Sequence, residues 1–354
     1  MVLKISAAKP ALWRNTQDIQ IGTGNSALVL SNISRPEQNL LALLYKGIAN
    51  DQLDAVAAQS GLAAHGAANL IERLEPVLMN EPVAASKHEQ KIEVQHPRFY
   101  ENAFTELAQA ELENTTDGVA VLRARASRSV HVDSLGKAGL MLARGLAASG
   151  VGRVVSHDSR QIAAADIGAD GYEEAHFGQS RLVASGEIIG RVQSQTRLSN
   201  GHRMSSATLN NLDCAVLIAQ QVIAPARYAI WQQKHIPYLA ITFGQNSIDV
   251  SPIIVPGISP CLNCLAYQRI DEDSSWTALA TQLIRSPLRF DDASSRLFAT
   301  GLALRSILQQ LDRGAGSMSL LRQSRGFSLD LQQQRVVELD WNATQRCDCQ
   351  SAES

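Results

Sequence analysis

The stretch "SRSVHVDSLGKAGLMLARGLAASGVGRVVSHDS", residues 127–159, decides the fold. It parses as a strand over Val130–Asp133, a tight turn, a helix over Lys137–Ala148, a second turn and a strand over Gly152–His157. A β-branched run, a helical apolar spacing and another β-branched run make a βαβ unit. Such a unit requires parallel strands joined by a right-handed crossover. Two further apolar runs, "LDCAVLIAQ" (212–220) and "IPYLAIT" (236–242), enclose the helical "PARYAIWQQKH" (225–235). The region is therefore α/β and Rossmann-like, with a parallel or mixed sheet. Near its end, "SSRLFATGLALRSILQQLD" (294–312) reads as a helix and "GFSLDLQQQRVVELDW" (326–341) as a hairpin.

The first turn of this unit bears on nucleotide binding. Glycines where a strand meets a helix let backbone N–H groups and the helix N-terminus approach phosphate, usually as Gly-x-Gly-x-x-Gly. Here the segment is Ser134-Leu135-Gly136-Lys137-Ala138-Gly139, so the first glycine is missing. Gly139 also has a structural role, in bringing helix and strand close together. Asp158 ends the next strand, where an acid could bind a ribose hydroxyl.

The cysteines form a second pattern. Cys261 and Cys264 stand as Cys-x-x-Cys, and Cys347 and Cys349 make a second close pair. Two such pairs suit a closed tetrahedral site of four thiolates, so a zinc ion held there is structural and clips the C-terminal tail to the domain. A redox role needs the first pair at the start of a helix, whereas Pro260 places it in an apparent loop. Cys214 lies in an apolar run and reads as a small buried hydrophobe. Asp271, Glu272 and Asp273 read as a solvated helix start.

The N-terminal part has another composition. "ALWRNTQDIQIG" (11–22) and "SALVLSNI" (26–33) read as two short strands joined at Gly22–Asn25. Three helices follow in "PEQNLLALLYKG", "NDQLDAVAAQSG" and "AAHGAANLIERLEPVLM", with Gly47 and Gly61 as stops. This is the make-up of a small winged-helix-like α+β domain over residues 1–82. The polar, Pro-punctuated "EPVAASKHEQKIEVQHPRFYEN" is a linker and "FTELAQAELEN" a lead-in helix, together residues 83–117. The α/β domain with its zinc clip then occupies 118–354.

Hydrophobic residues make up 45% of the 354, enough for a core, and aromatics only 5%, so aliphatic packing must carry it. A formal net charge of −2 offers no basic field for nucleic acid or an anionic membrane. The third N-terminal helix, with Glu72 and Glu75 around Arg73, also speaks against DNA. No run approaches the roughly 18 apolar residues of a membrane span, and the N-terminus has no apolar signal core. The expected location is cytoplasmic. There is no Walker loop, no Gly-x-Ser-x-Gly elbow and no His pairing suited to a catalytic metal.

With these residues in view, the chain resembles the ThiF-type fold of enzymes that activate ubiquitin-like proteins. The resemblance rests on "SLGKAG", on Ala147-Ala148-Ser149-Gly150-Val151-Gly152 with the strand and Asp158 after it, on "FGQSR" (177–181), and on the cysteine pairs. It is closest to actinobacterial proteins of bacteriocin-biosynthesis cyclodehydratase or leader-peptide-binding type. Those share "VPGISPCLNCLAYQRIDEDSSW" (255–276), and the Leu12-Trp13-Arg14 and Gln20-Ile21-Gly22 patterns near the start.

ThiF-type enzymes use Mg-ATP to adenylate a C-terminal carboxylate, which calls for a magnesium-binding acid and cations on the leaving phosphates. The resemblance carries Gly136, Gly139, Asp158 and Arg181 into the nucleotide site, Arg181 standing where the family has Lys. The family's magnesium-binding Asp falls at Val222, counted back from Arg227, and its Asn-x-x-Arg after the ribose acid is replaced by "AAADIGADGY". The resemblance thus implies a degenerate member that binds a peptide or protein partner, such as a leader peptide, by adding it to the sheet edge of the N-terminal module. It would pass that peptide to a catalytic partner protein, and it implies a homodimer. The alternative is an active adenylyltransferase that finds its acid elsewhere, at Asp133 or Asp213. An NAD-dependent oxidoreductase, suggested only by the glycine turn and Asp158, leaves the cysteine pairs unexplained.

Overall fold

The computed structural model describes residues 1–81, 104–114, 118–313, 325–339 and 341–350. The expected linker lies, from residue 82 onward, outside the described residues. The chain divides into two compact units, Met1–Ala124 and Arg125–Ser354.

The first unit runs β1 (Val2–Ile5), β2 (Ala11–Trp13), β3 (Ile19–Ile21), β4 (Leu28–Leu30), α1 (Arg35–Leu44), β5 (Ile48–Ala49), α2 (Leu53–Gln59), α3 (Ala64–Leu74), β6 (Leu78–Glu81) and α4 (Phe104–Asn114). Two three-stranded sheets form, in the orders β5-β1-β6 and β2-β3-β4. "ALWRNTQDIQIG" is itself a hairpin rather than a single strand. The Asn15 side chain accepts from the Gln17 and Asp18 N–H groups, and Arg14 N–H closes onto the Asp18 carbonyl at 2.9 Å. An Asx turn of this kind reverses the chain within a few residues.

Helix α1 begins where Ser34 and Glu37 cap each other, the Ser34 N–H donating to Glu37 Oε2 at 2.7 Å, with Pro36 in the first turn. Gly47 and Gly61 follow α1 and α2 with φ of +87° and +89°, a conformation that ends a helix cheaply only at glycine. Leu40, Leu44, Leu70 and Leu74, spaced four apart on α1 and α3, are fully buried with Ile5, Ile21 and Leu30.

Helix α5 (Gly118–Ala126) spans the division. The second unit follows with β7 (Ser129–Val132), α6 (Lys137–Ala148), β8 (Arg153–Ser156), α7 (Arg181–Val192), β9 (Arg197–Asn200), α8 (Ser206–Leu209), β10 (Cys214–Gln220), α9 (Pro225–Gln233), β11 (Tyr238–Phe243), β12 (Ser247–Val250), α10 (Leu262–Glu272), α11 (Trp276–Ile284), α12 (Ala293–Arg313), β13 (Phe327–Asp330) and β14 (Arg335–Glu338). One eight-stranded sheet has the order β14-β13-β12-β11-β10-β7-β8-β9. The five strands from β11 to β9 pair in parallel and the remaining three antiparallel, so the expected α/β sheet is mixed.

Both faces of the sheet are covered. Val130, Val132, Val154, Val216 and Ile241 pack with Leu142 and Leu146 of α6 and with Ala303 and Ile307 of α12. The opposite face buries Val155, Ala215, Leu217 and Ala240 against Tyr228 and Trp231 of α9. Cys214 is fully buried, and burial pushes its thiol up to about 12, which leaves it inert.

Two local expectations change. Cys261 stands at the N-cap of α10 and is not in an open loop, so Cys264 falls in the first helical turn. The Asp271–Asp273 run closes that same helix and does not start one, with Asp271 bonded by Arg346 at 2.6 Å.

Candidate functional site

The chain leaves β7 and β10 in opposite lateral directions, and this topological switch point is where an open α/β sheet binds ligands. A cavity of about 310 Å³ opens there. It is lined by the turn after β7 (Ser134, Gly136), the start of α6 (Lys137, Gly139) and the end of β10 (Ile218–Gln220). Arg160, Arg227, Arg289, Asp133 and Asp291 complete the wall.

The two glycines of the turn have different roles. A side chain at Gly139 would fall on the Ser134 carbonyl oxygen, so this residue lets α6 cross its own strand closely. At Gly136 an added Cβ would meet nothing nearer than 3.7 Å, and its φ of −62° suits any residue. Both line the cavity, but only Gly139 is also held against the Ser134 backbone.

Asp158 and Arg181 are brought together but not left free. Asp158 Oδ2 accepts from the Leu135 N–H at 2.8 Å, from Arg160 Nη2 at 2.8 Å and from Arg181 Nη1 at 3.0 Å. Asp158 Oδ1 accepts from Arg160 Nε at 2.7 Å. Burial works to raise its pKa, but the Arg160 hydrogen bonds and the Leu135 N–H outweigh it and hold the carboxyl at about 2. Arg181 is buried, with Nη2 bonded to both oxygens of Asp166 at 2.7 and 2.8 Å. The acid expected to meet a ribose and the cation expected to meet phosphate hold each other.

The remaining acids are paired in the same way. Asp133 is bonded by Arg227 and accepts the Ile218 N–H at 3.0 Å; burial raises its pKa against the pull of Arg227. Asp291 is bonded by Arg289 at 3.0 Å and by Gln220 at 2.9 Å. Asp213 lies at the other end of β10, bonded by Arg128 and the Ser129 N–H, and takes no part in the cavity. Val222 follows the tight turn after β10 and lines a neighbouring cavity instead. Arg160 was visible two residues after Asp158, whereas Arg289 and Asp291 arrive from a loop with no recognisable motif.

The four paired cysteines do converge. Cys261 and Cys347 are 3.6 Å apart at sulfur and Cys264 and Cys349 3.4 Å, and all four sulfurs lie within 4.8 Å of one another. Tetrahedral ligation at a Zn–S distance of about 2.3 Å requires sulfurs about 3.8 Å apart, so the set fits a zinc ion. These residues could hold such a metal, with no position open for substrate.

No protein-family model matches this sequence, and no curated protein matches it. Solved structures do. E. coli MccB with ATP superposes with a TM-score of 0.70 at 14% identity, over 99% of this chain and 100% of that one. The microcin C7 biosynthetic enzyme MccB in complex with N-formylated MccA gives 0.70 at 13% identity, over 99% and 100%. Selenomethionine PaaA gives 0.65 at 16%, over 94% and 98%. The likeness is one of fold, and the fold is ThiF-type. No described helix is long and apolar enough to cross a membrane.

Proposed function

We propose that this chain is a degenerate ThiF-type protein that binds a peptide, such as the leader of a modified precursor, without adenylating it. One observation carries the reading: each acid lining the switch-point cavity is tied to an arginine, and Val222 stands where the magnesium-binding acid is expected. Mg-ATP needs a carboxylate free to take the metal, and freeing Asp133 or Asp291 would strip an arginine of its partner. MccB, on the same fold, is seen both with ATP and with the MccA peptide, which supports a peptide as the partner.

In this reading residues 1–82 are a winged-helix-like peptide-binding domain, residues 83–117 link it, and residues 118–354 are the ThiF-type domain with a structural zinc at Cys261, Cys264, Cys347 and Cys349. Gly136, Gly139, Asp158 and Arg181 keep the architecture of the former nucleotide site. The peptide adds to β2, which pairs only with β3 among the described residues and has all three residues exposed, Trp13 at 54%. Arg73 of α3 donates to Glu37 and to the Ser31 carbonyl, so that helix presents no free cation to DNA. The protein acts in the cytoplasm as a homodimer that passes the peptide to a catalytic partner protein.

The test is pyrophosphate release from Mg-ATP by the zinc-loaded protein with peptides carrying free C-terminal carboxylates. No release above background is expected, together with peptide binding that Leu12→Lys and Trp13→Ala weaken. Peptide-stimulated release of pyrophosphate would overturn the reading in favour of an active adenylyltransferase.

A further inference from the structure

The eight-stranded sheet ends on one side in β9, which pairs with β8 alone among the described residues. Arg197 opens that strand, and its N–H donates to the Gly152 carbonyl at 3.0 Å, toward β8. Backbone groups alternate in direction along a strand, so Leu198 aims its N–H and C=O outward, and Asn200 its N–H. These three groups meet no partner among the described residues. Such a row is a template for another strand.

The charge beside this edge is unmatched. Arg197 stands opposite Arg153 of β8 in the register, on strands about 4.8 Å apart. Both side chains share the face of Val155, two residues on from Arg153, while Leu198 and Ile189 of α7 pack on the other face. Arg197 is exposed and Arg153 half-buried, and neither has an acid partner among the described residues. Asp213, beside Ser129 in the same row, is already held by Arg128 at 2.9 Å and by the Ser129 N–H. A charge on an edge strand can serve to repel a second edge, and Arg197 alone would do that. It does not account for Arg153, which sits on an inner strand and adds like-charge repulsion to the pair. At the other end of the sheet, Glu338 of β14 is matched by Arg325 at 2.9 Å.

The geometry points to β9 as a docking edge for an extended acidic segment of a protein partner. That segment pairs its backbone with Leu198 and Asn200 and lays carboxylates over Arg153 and Arg197. Side chains two apart on an incoming strand fall on one face, so acids at alternate positions meet both guanidiniums and can bind them two-pronged. A second copy of this chain does not suit the edge, because its β9 brings the same arginines to the contact. The strand is a different one from β2, and the inference stands whether or not a peptide adds there.

The probe is a rhodamine-labelled peptide, Thr-Glu-Val-Glu-Val-Glu-Thr, capped at both ends and titrated with the full-length, zinc-loaded protein by fluorescence anisotropy. Two further probes replace Glu by Lys, or carry N-methyl groups at alternate residues so that they cannot pair as a strand. The acidic probe should bind with a Kd of about 0.1–1 mM, and the other two should not. Arg153→Gln with Arg197→Gln should weaken it about tenfold or more, as should raising salt from about 0.05 to 0.5 M. Asn200→Pro keeps both charges and removes one outward donor at a φ of −76° that proline accepts, and should weaken binding about threefold. Trp13→Ala, on β2, should leave binding unchanged, and melting temperatures check the fold of every variant. No binding up to about 5 mM acidic probe, or binding that survives loss of both arginines, would overturn the docking edge. Equal binding of the N-methylated probe would overturn it too, leaving only a contact between charges.

Discussion

The cysteine cluster and the switch-point cleft belong to the same unit and are both built from ionisable side chains, but they are arranged in opposite ways. At the cluster four like groups face one another within 4.8 Å. As thiolates they would repel until a cation neutralised them, so the arrangement suits a metal. At the cleft, acids and arginines alternate: Asp158 with Arg160 and Arg181, Asp166 with Arg181, Asp133 with Arg227, Asp291 with Arg289. That network is close to neutral and needs no ligand to be stable. The cluster keeps its donors turned inward on a common point, whereas the cleft is stabilised by internal pairs.

The largest effect should come from breaking the cluster. Cys264→Ser, or removal of metal by a strong chelator, should destabilise the second unit by about 5 kcal/mol, part of the free energy a structural zinc contributes. Differential scanning calorimetry should show a fall of about 10 °C or more, at about 2–4 °C per kcal/mol for a domain of this size. An unchanged melting temperature, or a metal content below one per chain, would remove the distinction between the two sites.

Arg181→Leu should follow, at about 3–5 kcal/mol, because it leaves Asp166 buried without its two-pronged partner. Arg181→Lys should recover part of this, since it keeps the charge and loses the fork. Urea unfolding measures both. A variant that keeps its stability but loses binding of inorganic triphosphate would return Arg181 to a nucleotide role and make the cleft resemble the cluster.

The glycines of the turn sharpen the same contrast on a smaller scale. Gly139→Ala should cost about 3 kcal/mol, because the new methyl meets the Ser134 carbonyl and backbone must move. Gly136→Ala should cost less than about 1 kcal/mol, where space is open and φ is ordinary. Equal costs would mean that the turn is not built as described.

What the sequence made legible follows from the range of each interaction. Lys137–Ala148 as a helix, and the runs that became β10 and β11, are local patterns, and the structure keeps them nearly residue for residue. The cysteine pairs are two local spacings that need only one long-range meeting. The state of Asp158 and Arg181 was not legible, because it depends on Asp166 and Arg160 occupying them, and a motif names a residue without naming its neighbours. The short strands β1, β5 and β6 escaped for a different reason, since two to four residues carry too little alternation to stand out.

A smaller effect than those at the cluster and at Arg181 concerns a second place where polar groups are shut in, the layer behind β7. His131 is buried against Trp231, with its Nε2 2.8 Å from His157 Nδ1 and its Nδ1 without a partner. Burial, with the nearby His157, pushes its pKa down from 6.5 to about 3. His157, facing His202 as well, is depressed in the same direction by burial and by that neighbour. As pH falls through about 6.5 the unfolded chain takes up these protons and the folded chain does not, so the unfolded state binds more protons between there and about 3. Stability should therefore be flat above neutrality and fall below it, His131 contributing about 1–2 kcal/mol of loss between about pH 7 and 5. His131→Leu removes both the titration and the unpartnered nitrogen, so its unfolding free energy should depend less on pH across that interval. Denaturant unfolding of both proteins at the two pH values decides it. Equal slopes would mean that the imidazole accepts its proton inside the fold, and that this layer admits water.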